Sequence, residues 1–71
     1  MEDRFALLID ADNVSSRYIE PILDELSKYG KVTYKRIYGD WTSTNNSGWK
    51  EELLNNSITP IQQFSYTTGK N

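Results

Sequence analysis

The sequence has no cysteine and no histidine. The first absence excludes disulfides and thiolate metal sites, and the second excludes imidazole acid–base chemistry. Any chemistry must therefore rest on carboxylates, amides, hydroxyls and amines. A surplus of positive charge is missing as well. Eight Lys and Arg face ten Asp and Glu, for a net charge of −2 and a pI of about 4.9, which gives no support to a generally basic nucleic-acid binder. Long apolar runs are also lacking. The longest, Phe5 to Ile9, is far too short to span a bilayer, and nothing resembles a signal peptide. The expectation is a soluble, cytoplasmic protein without covalent staples and without a membrane partner. Apolar residues make up 37% and aromatic residues 13% of the chain, enough for a globular fold rather than disorder. Its 71 residues form one small domain or a piece of one, and a chain this short buries only about 60% of the surface its unfolded form exposes.

The stretch Phe5-Ala6-Leu7-Leu8-Ile9-Asp10-Ala11-Asp12-Asn13 organises the rest. A short continuous apolar run is the pattern of a strand buried on both faces in a parallel sheet. Carboxylates at its exit stand at the carboxyl edge of that sheet, where open α/β folds place their ligands. Next, Ile19, Ile22, Leu23, Leu26 and Tyr29 fall at helical spacing and predict a helix from about Tyr18 to Tyr29. Pro21 is compatible only with its first turn, and Gly30 suits the left-handed position that closes a helix.

Lys31 to Tyr38 is rich in β-branched and aromatic residues and predicts a second strand. It ends at Gly39-Asp40-Trp41, and Thr42 to Asn46 is small and polar, hence a loop. Ser47 is placed to cap a short helix from Gly48 to about Asn55. Ile58 to Phe64 is the third strand candidate, and Pro60 argues that it lies at an edge or starts there. The order βαβαβ with short links implies an α/β fold with a parallel sheet and right-handed crossovers. The most apolar strand then ought to be central, with strands on both sides.

In a parallel sheet all strand exits share one rim, which gathers Asp10 to Asn13, Gly39 to Trp41 and Ser65 to Asn71. Asp10 and Asp12 are the best candidates for chemistry. Two neighbouring carboxylates repel, and a divalent cation relieves that repulsion. All-oxygen ligands favour Mg²⁺ or Mn²⁺, which can polarise a phosphoryl oxygen and activate a bound water. Asn13 can orient that water or a phosphate oxygen. Asp and Asn after a strand are also ordinary turn residues; the chemical role is favoured for Asp10 and evenly balanced for Asp12. For Asp40, within Gly-Asp, the turn role is favoured. Lys70, beside Thr68 and Gly69, can hold a phosphate as a point charge. Trp41 at the rim can stack on a base, whereas Trp49 belongs to the core. Lys28, Lys31, Lys35 and Arg36 can track a nucleic-acid backbone, but a solvated face is the favoured reading.

Three motifs, Leu8-Ile9-Asp10-Ala11-Asp12-Asn13, Arg36-Ile37-Tyr38-Gly39-Asp40-Trp41 and Thr68-Gly69-Lys70-Asn71, resemble in order and spacing the NYN domain of LabA-like proteins. This is a branch of the PIN-like nuclease superfamily. The resemblance spans essentially the whole chain. It implies a Rossmann-like three-layer fold and a metal-dependent endoribonuclease or RNA-processing domain with RNA as its partner. It also implies that Asp10 is a metal ligand and that Asn13 is the asparagine of the same motif. Further family acids lie beyond the Thr-Gly-Lys-Asn motif, so residues 1–71 are expected to be the N-terminal portion of one such domain, inactive alone. The family's sheet order puts another strand beside the first, and an exposed edge there invites self-association.

Two other functions fit parts of the pattern. Asp10, Asp12 and Val14 match the Asp-x-Asp-x-Thr/Val of haloacid-dehalogenase-like phosphatases, in which Asp10 attacks phosphorus and Asp12 is the general acid/base. The chain passes directly into a helix, however, without the usual glycine and hairpin flap. A non-catalytic RNA-binding module on the same fold also remains open.

Overall fold

The computed structural model describes residues 3–64. Within them the chain forms β1 (Asp3–Asp10), a 3₁₀ turn (Ser16–Tyr18), α1 (Ile19–Ser27), β2 (Gly30–Gly39), a 3₁₀ segment (Thr44–Trp49), α2 (Lys50–Asn55) and β3 (Thr59–Gln62). Both strand pairs are parallel, in the order β1-β2-β3. The fold is α/β with the expected βαβαβ order.

The expectation that β1 is buried on both faces, and central, is not met among the described residues. The strand alternates: Ile9 is 5% exposed and Leu8 59%. The central strand is β2, whose Ile37 is fully buried. The reason is topological. Two crossovers of one hand, taken in one direction across the sheet, lay both helices on the same face. Ile19 and Leu23 of α1 accordingly share one core with Trp49, with Leu53 of α2, and with Ile9, Ile37 and Ile58.

β2 reaches that core through a register shift. Phe5 pairs with Val32 but Ala6 with Tyr34, so Thr33 is an extra residue, and its hydroxyl donates to the Phe5 carbonyl at 3.4 Å. Strict alternation cannot place Val32 and Ile37 on one face, since their separation is odd. The extra residue resets the phase. Lys35, Ile37 and Gly39 then face the helices, and Tyr34, Arg36 and Tyr38 face away.

α1 is shorter than its pattern suggests, because Tyr29 has left the apolar stripe and is 62% exposed. Pro21 lies in the first turn as expected. Gly30 does not close the helix in a left-handed conformation. It is the first residue of β2, where a Cβ would fall 2.3 Å from the Asp3 carbonyl oxygen. The glycine supplies space rather than an unusual φ.

The region after β2 also differs from expectation. The polar stretch Thr42 to Asn46 is partly 3₁₀, capped by Ser43, whose side chain accepts from the Asn45 N–H at 3.1 Å. Ser47 lies inside that segment and caps nothing, and α2 begins at Lys50. The residue that adopts a left-handed conformation is Ser57, with φ of 55°. It follows the end of α2 and lets the Ile58 N–H reach back to the Leu53 carbonyl at 3.0 Å, a Schellman-type closure. Pro60 sits in β3 at a sheet edge, where a missing N–H is tolerated.

Candidate functional site

At the carboxyl end of β1 the ladder continues for one residue, as the Ala11 N–H donates to the Tyr38 carbonyl at 2.9 Å. The chain then turns sharply around Asp10. One carboxylate oxygen of Asp10 accepts from the Asp12 N–H at 3.1 Å, and the other accepts from Asn13 Nδ2 at 2.6 Å. The Asn13 N–H closes the turn on the Asp10 carbonyl at 3.0 Å. Asn13 therefore grips Asp10 at backbone and side chain together. Asp10, Asp12 and Asn13 are all exposed. Among the described residues no hydrogen-bond donor reaches the Asp12 carboxylate.

Small residues form the floor of this turn. Ala11 is buried, and a Cβ on Gly39 would approach its methyl to 2.9 Å. Asn46, buried at 8% exposure, donates from Nδ2 to the Asp40 carbonyl at 3.0 Å. The exit of β2 is thus tied to the 3₁₀ segment from beneath.

The second rim loop is laced to β3. One Asp40 carboxylate oxygen, Oδ1, accepts from the Thr42 hydroxyl, from the Thr42 N–H at 3.0 Å and from Gln62 Nε2 at 2.9 Å. The Thr42 hydroxyl first, then the Gln62 amide and the Thr42 N–H, hold the Asp40 carboxyl below its ordinary pKa. This geometry agrees with the turn role. Gln62 also accepts the Trp41 N–H at 3.0 Å through Oε1, and Trp41 Nε1 donates to the Ile61 carbonyl at 3.0 Å. Trp41 lies at the rim, half-buried, with its indole N–H already engaged. Lys70 and Thr68, and the third rim loop with them, lie outside the described residues.

The four clustered basic residues do not form one track. Arg36 faces away from the helices and stacks over Tyr34, 4.3 Å from the ring centroid. Lys28 pairs with Glu25 at 3.2 Å. Lys35 donates to the Asn56 carbonyl at 2.6 Å, placing its charge at the carboxyl end of α2, where the helix dipole favours a cation. Lys28, Lys31 and Lys35 line a shallow groove of about 600 Å³ at the start of β2, the end of the sheet opposite Asp10.

As metal donors, Asp10 and Asp12 offer hard oxygen ligands on one exposed turn, which suits Mg²⁺ or Mn²⁺ in kind, because one or two carboxylates with waters suffice. Among the described residues no group of three Asp, Glu, His or Cys converges to hold an ion. Two parts of the site escape a reading of the sequence. Asn46 and Gln62 are distant polar residues whose partners become visible only when the strand exits are brought together. Tyr18, just before α1, lines an open groove together with Asn13 and reads in the sequence merely as a helix start.

A family model of the NYN domain matches residues 4–71. Among curated proteins and solved structures, none matches the chain significantly. No helix among the described residues is long and apolar enough to cross a membrane. The matched span takes in the Asp10-Asn13 turn, the Gly39-Asp40 loop and the sheet that joins them, so the chain belongs to the NYN domain family, a nuclease-like domain.

Proposed function

We propose that this chain is the N-terminal portion of a metal-dependent ribonuclease domain that hydrolyses RNA phosphodiesters in the cytoplasm, with Asp10 as its first metal ligand. The observation that carries the reading is the Asp10 carboxylate, presented at the carboxyl edge of the sheet and held by the Asp12 N–H and the Asn13 amide. A carboxylate fixed from two sides keeps its remaining lone pairs aimed outward, which spares the cost of ordering it when a ligand arrives.

Asp10, with Asp12 beside it, would hold Mg²⁺ or Mn²⁺. Such an ion supplies charge stabilisation at a phosphoryl oxygen and a water acidic enough to attack near neutral pH. Asn13 positions Asp10, and its amide also lies within reach of the groove beside the turn. Lys70 and Thr68 take a phosphate, and Trp41 offers a stacking edge. Family membership favours the nuclease over the phosphatase pattern of Asp10 and Asp12. The outer edge of β1, unpaired among the described residues, offers a route to pairing with a second copy.

The test is a cleavage assay on single-stranded RNA. Wild type and Asp10→Asn are compared with Mg²⁺, with Mn²⁺ and with chelator. Loss of a metal ligand should lower the rate about 100-fold or more, since the ion contributes several kcal/mol. Cleavage that is unchanged in Asp10→Asn, or indifferent to chelator, refutes the assignment. Metal-independent RNA binding that survives Asp10→Asn would instead favour a binding module.

A further inference from the structure

The two edges of the sheet are built differently. β3 is a strand of 4 residues that carries Pro60, so it offers little to a further strand. β1 runs for 8 residues without proline, and the extra residue of its pairing with β2 lies on β2, so β1 itself stays regular. The Ala11 N–H and the Phe5 carbonyl both turn toward β2. Alternation along the strand then turns the N–H and C=O of Arg4, Ala6, Leu8 and Asp10 to the other side, where no strand pairs with β1 among the described residues. The side chains of the same residues are exposed on the sheet face away from the helices, Leu8 at 59%.

A second copy of the same strand complements this edge in one register. Two copies related by a twofold axis normal to the sheet pair antiparallel, and their faces match only when opposed residues share a parity. With Leu7 on the axis, Ala6 lies opposite Leu8 of the second copy, and Arg4 lies opposite its Asp10. On the helix side Phe5 then faces Ile9 and Leu7 faces Leu7, so apolar meets apolar. The outward N–H and C=O of Ala6 and Leu8 answer one another, and the Asp10 N–H meets the Arg4 carbonyl. A shift of two residues in one direction sets Arg4 against Leu8, and in the other sets Asp10 against Ala6. A parallel arrangement brings the two Asp10 carboxylates to the same end, where like charges repel. Arg4 is available for the pairing, being exposed and in no ion pair among the described residues.

Extending the open β1 edge noted above, we propose that the chain self-associates through β1 as an antiparallel twofold dimer, in which Arg4 of each copy is set against Asp10 of the other. Main-chain bonds supply the attachment, as in other cases of strand addition to a sheet edge, and the charge pair at each end fixes the register. The second copy thereby contributes a guanidinium to the Asp10 turn, against the carboxylate lone pairs that the Asp12 N–H and the Asn13 amide leave facing outward. One strand is a small interface, so the dimer is reversible and depends on concentration.

The chain has no cysteine, so engineered cross-links read the register directly. Ala6→Cys and Leu8→Cys, both at exposed positions, are prepared separately, mixed and oxidised. Opposed residues of a hydrogen-bonded antiparallel pair lie about 5.5 Å apart at Cα, within the span of a disulfide. The mixed dimer of Ala6→Cys with Leu8→Cys should predominate over both homodimers. Predominance of the Ala6→Cys homodimer or of the Leu8→Cys homodimer marks a shifted register and overturns the proposal. Sedimentation equilibrium of the unaltered chain should show a reversible monomer–dimer equilibrium, with the Ala6 and Leu8 amides gaining protection from hydrogen exchange as the dimer forms. Arg4→Glu opposes two carboxylates at each end of the interface and should weaken the dimer about ten-fold or more; unchanged affinity removes the contact between Arg4 and Asp10. A monomer at every concentration, or a dimer that leaves those amides unprotected, overturns the pairing. Protection that does not depend on concentration overturns it too, and identifies a segment of the same chain as the occupant of the edge. The pairing and the nuclease reading fail separately, since the cross-links decide the first and Asp10-dependent cleavage the second.

Discussion

Gly39 is where the fold and the candidate site press on each other, and Gly39→Ala measures that pressure. A Cβ there meets the Ala11 methyl at 2.9 Å, with Asn46 Nδ2 and Trp41 Cζ2 each at 3.4 Å. Gly39 does not have a positive φ, so alanine is allowed by the backbone and the cost is steric. Ala11 has little room to retreat, being buried and bonded through its N–H to the Tyr38 carbonyl. Overpacking of this kind costs about 1–3 kcal/mol, and the smaller entropy of the unfolded alanine chain returns about 0.4–1 kcal/mol. The two ranges together span about 0–2.6 kcal/mol, and the 2.9 Å approach to a buried, backbone-bonded Ala11 puts the expectation in the middle of that span, a loss of about 0.5–2 kcal/mol. At about 0.05–0.15 kcal/mol per residue a chain of this length has roughly 4–11 kcal/mol in all, so the loss is measurable without unfolding the protein. Urea unfolding followed by tryptophan fluorescence is the assay, since Trp49 is buried in the core. With a slope near about 1 kcal/mol/M for so small a chain, the midpoint should fall by about 0.5–2 M. Removing the opposing methyl with Ala11→Gly should relieve the clash, giving a coupling of at least about 0.5 kcal/mol in the double-mutant cycle. A Gly39→Ala protein as stable as wild type, or a cycle with no coupling, refutes the close contact.

Two further expectations follow from local geometry. Ser57 is held at φ of 55°, a conformation that costs an L-residue about 1–2 kcal/mol; Ser57→Gly should therefore raise stability, read as a higher urea midpoint, and a lower midpoint would contradict the strain. Asp40 has a folded-state pKa depressed chiefly by the Thr42 hydroxyl, then by Gln62. A depressed carboxyl pKa stabilises the fold above the unfolded value of about 3.9 and loses that contribution as pH falls through the folded value. A side-chain NMR titration should show Asp40 ionising below about 3.9 and moving back up in Thr42→Val, and an unmoved titration would remove the hydroxyl as its cause.

The glycines show why local signals were only partly legible. Helical periodicity places Gly30 just past a helix, which is the usual position for a left-handed residue, yet its role is to let β2 start against the Asp3 carbonyl. The left-handed closure falls instead to Ser57, whose side chain gives no hint of it. Ser47 reads in sequence as the cap, whereas the structure uses Ser43, in the rim loop that the buried Asn46 ties down. For Gly30 the deciding partner, Asp3, lies on another strand.

The amino-acid sequence by itself determined the element types and their order, because apolar period, proline and turn residues act within a few positions of one another. It determined equally that Asp10 and Asn13 leave the first strand together, since the bonds that clamp them span only three residues. The tertiary structure alone decided which strand is central and which face of β1 is covered. Those depend on the direction in which two crossovers traverse the sheet, and on the extra residue Thr33 that resets the phase of β2. It also decided that Gln62 and Asn46 complete the rim and that Tyr18 shares a groove with Asn13. Residues remote in sequence, or poised at a helix start, become neighbours only when parallel strands bring their exits to one edge.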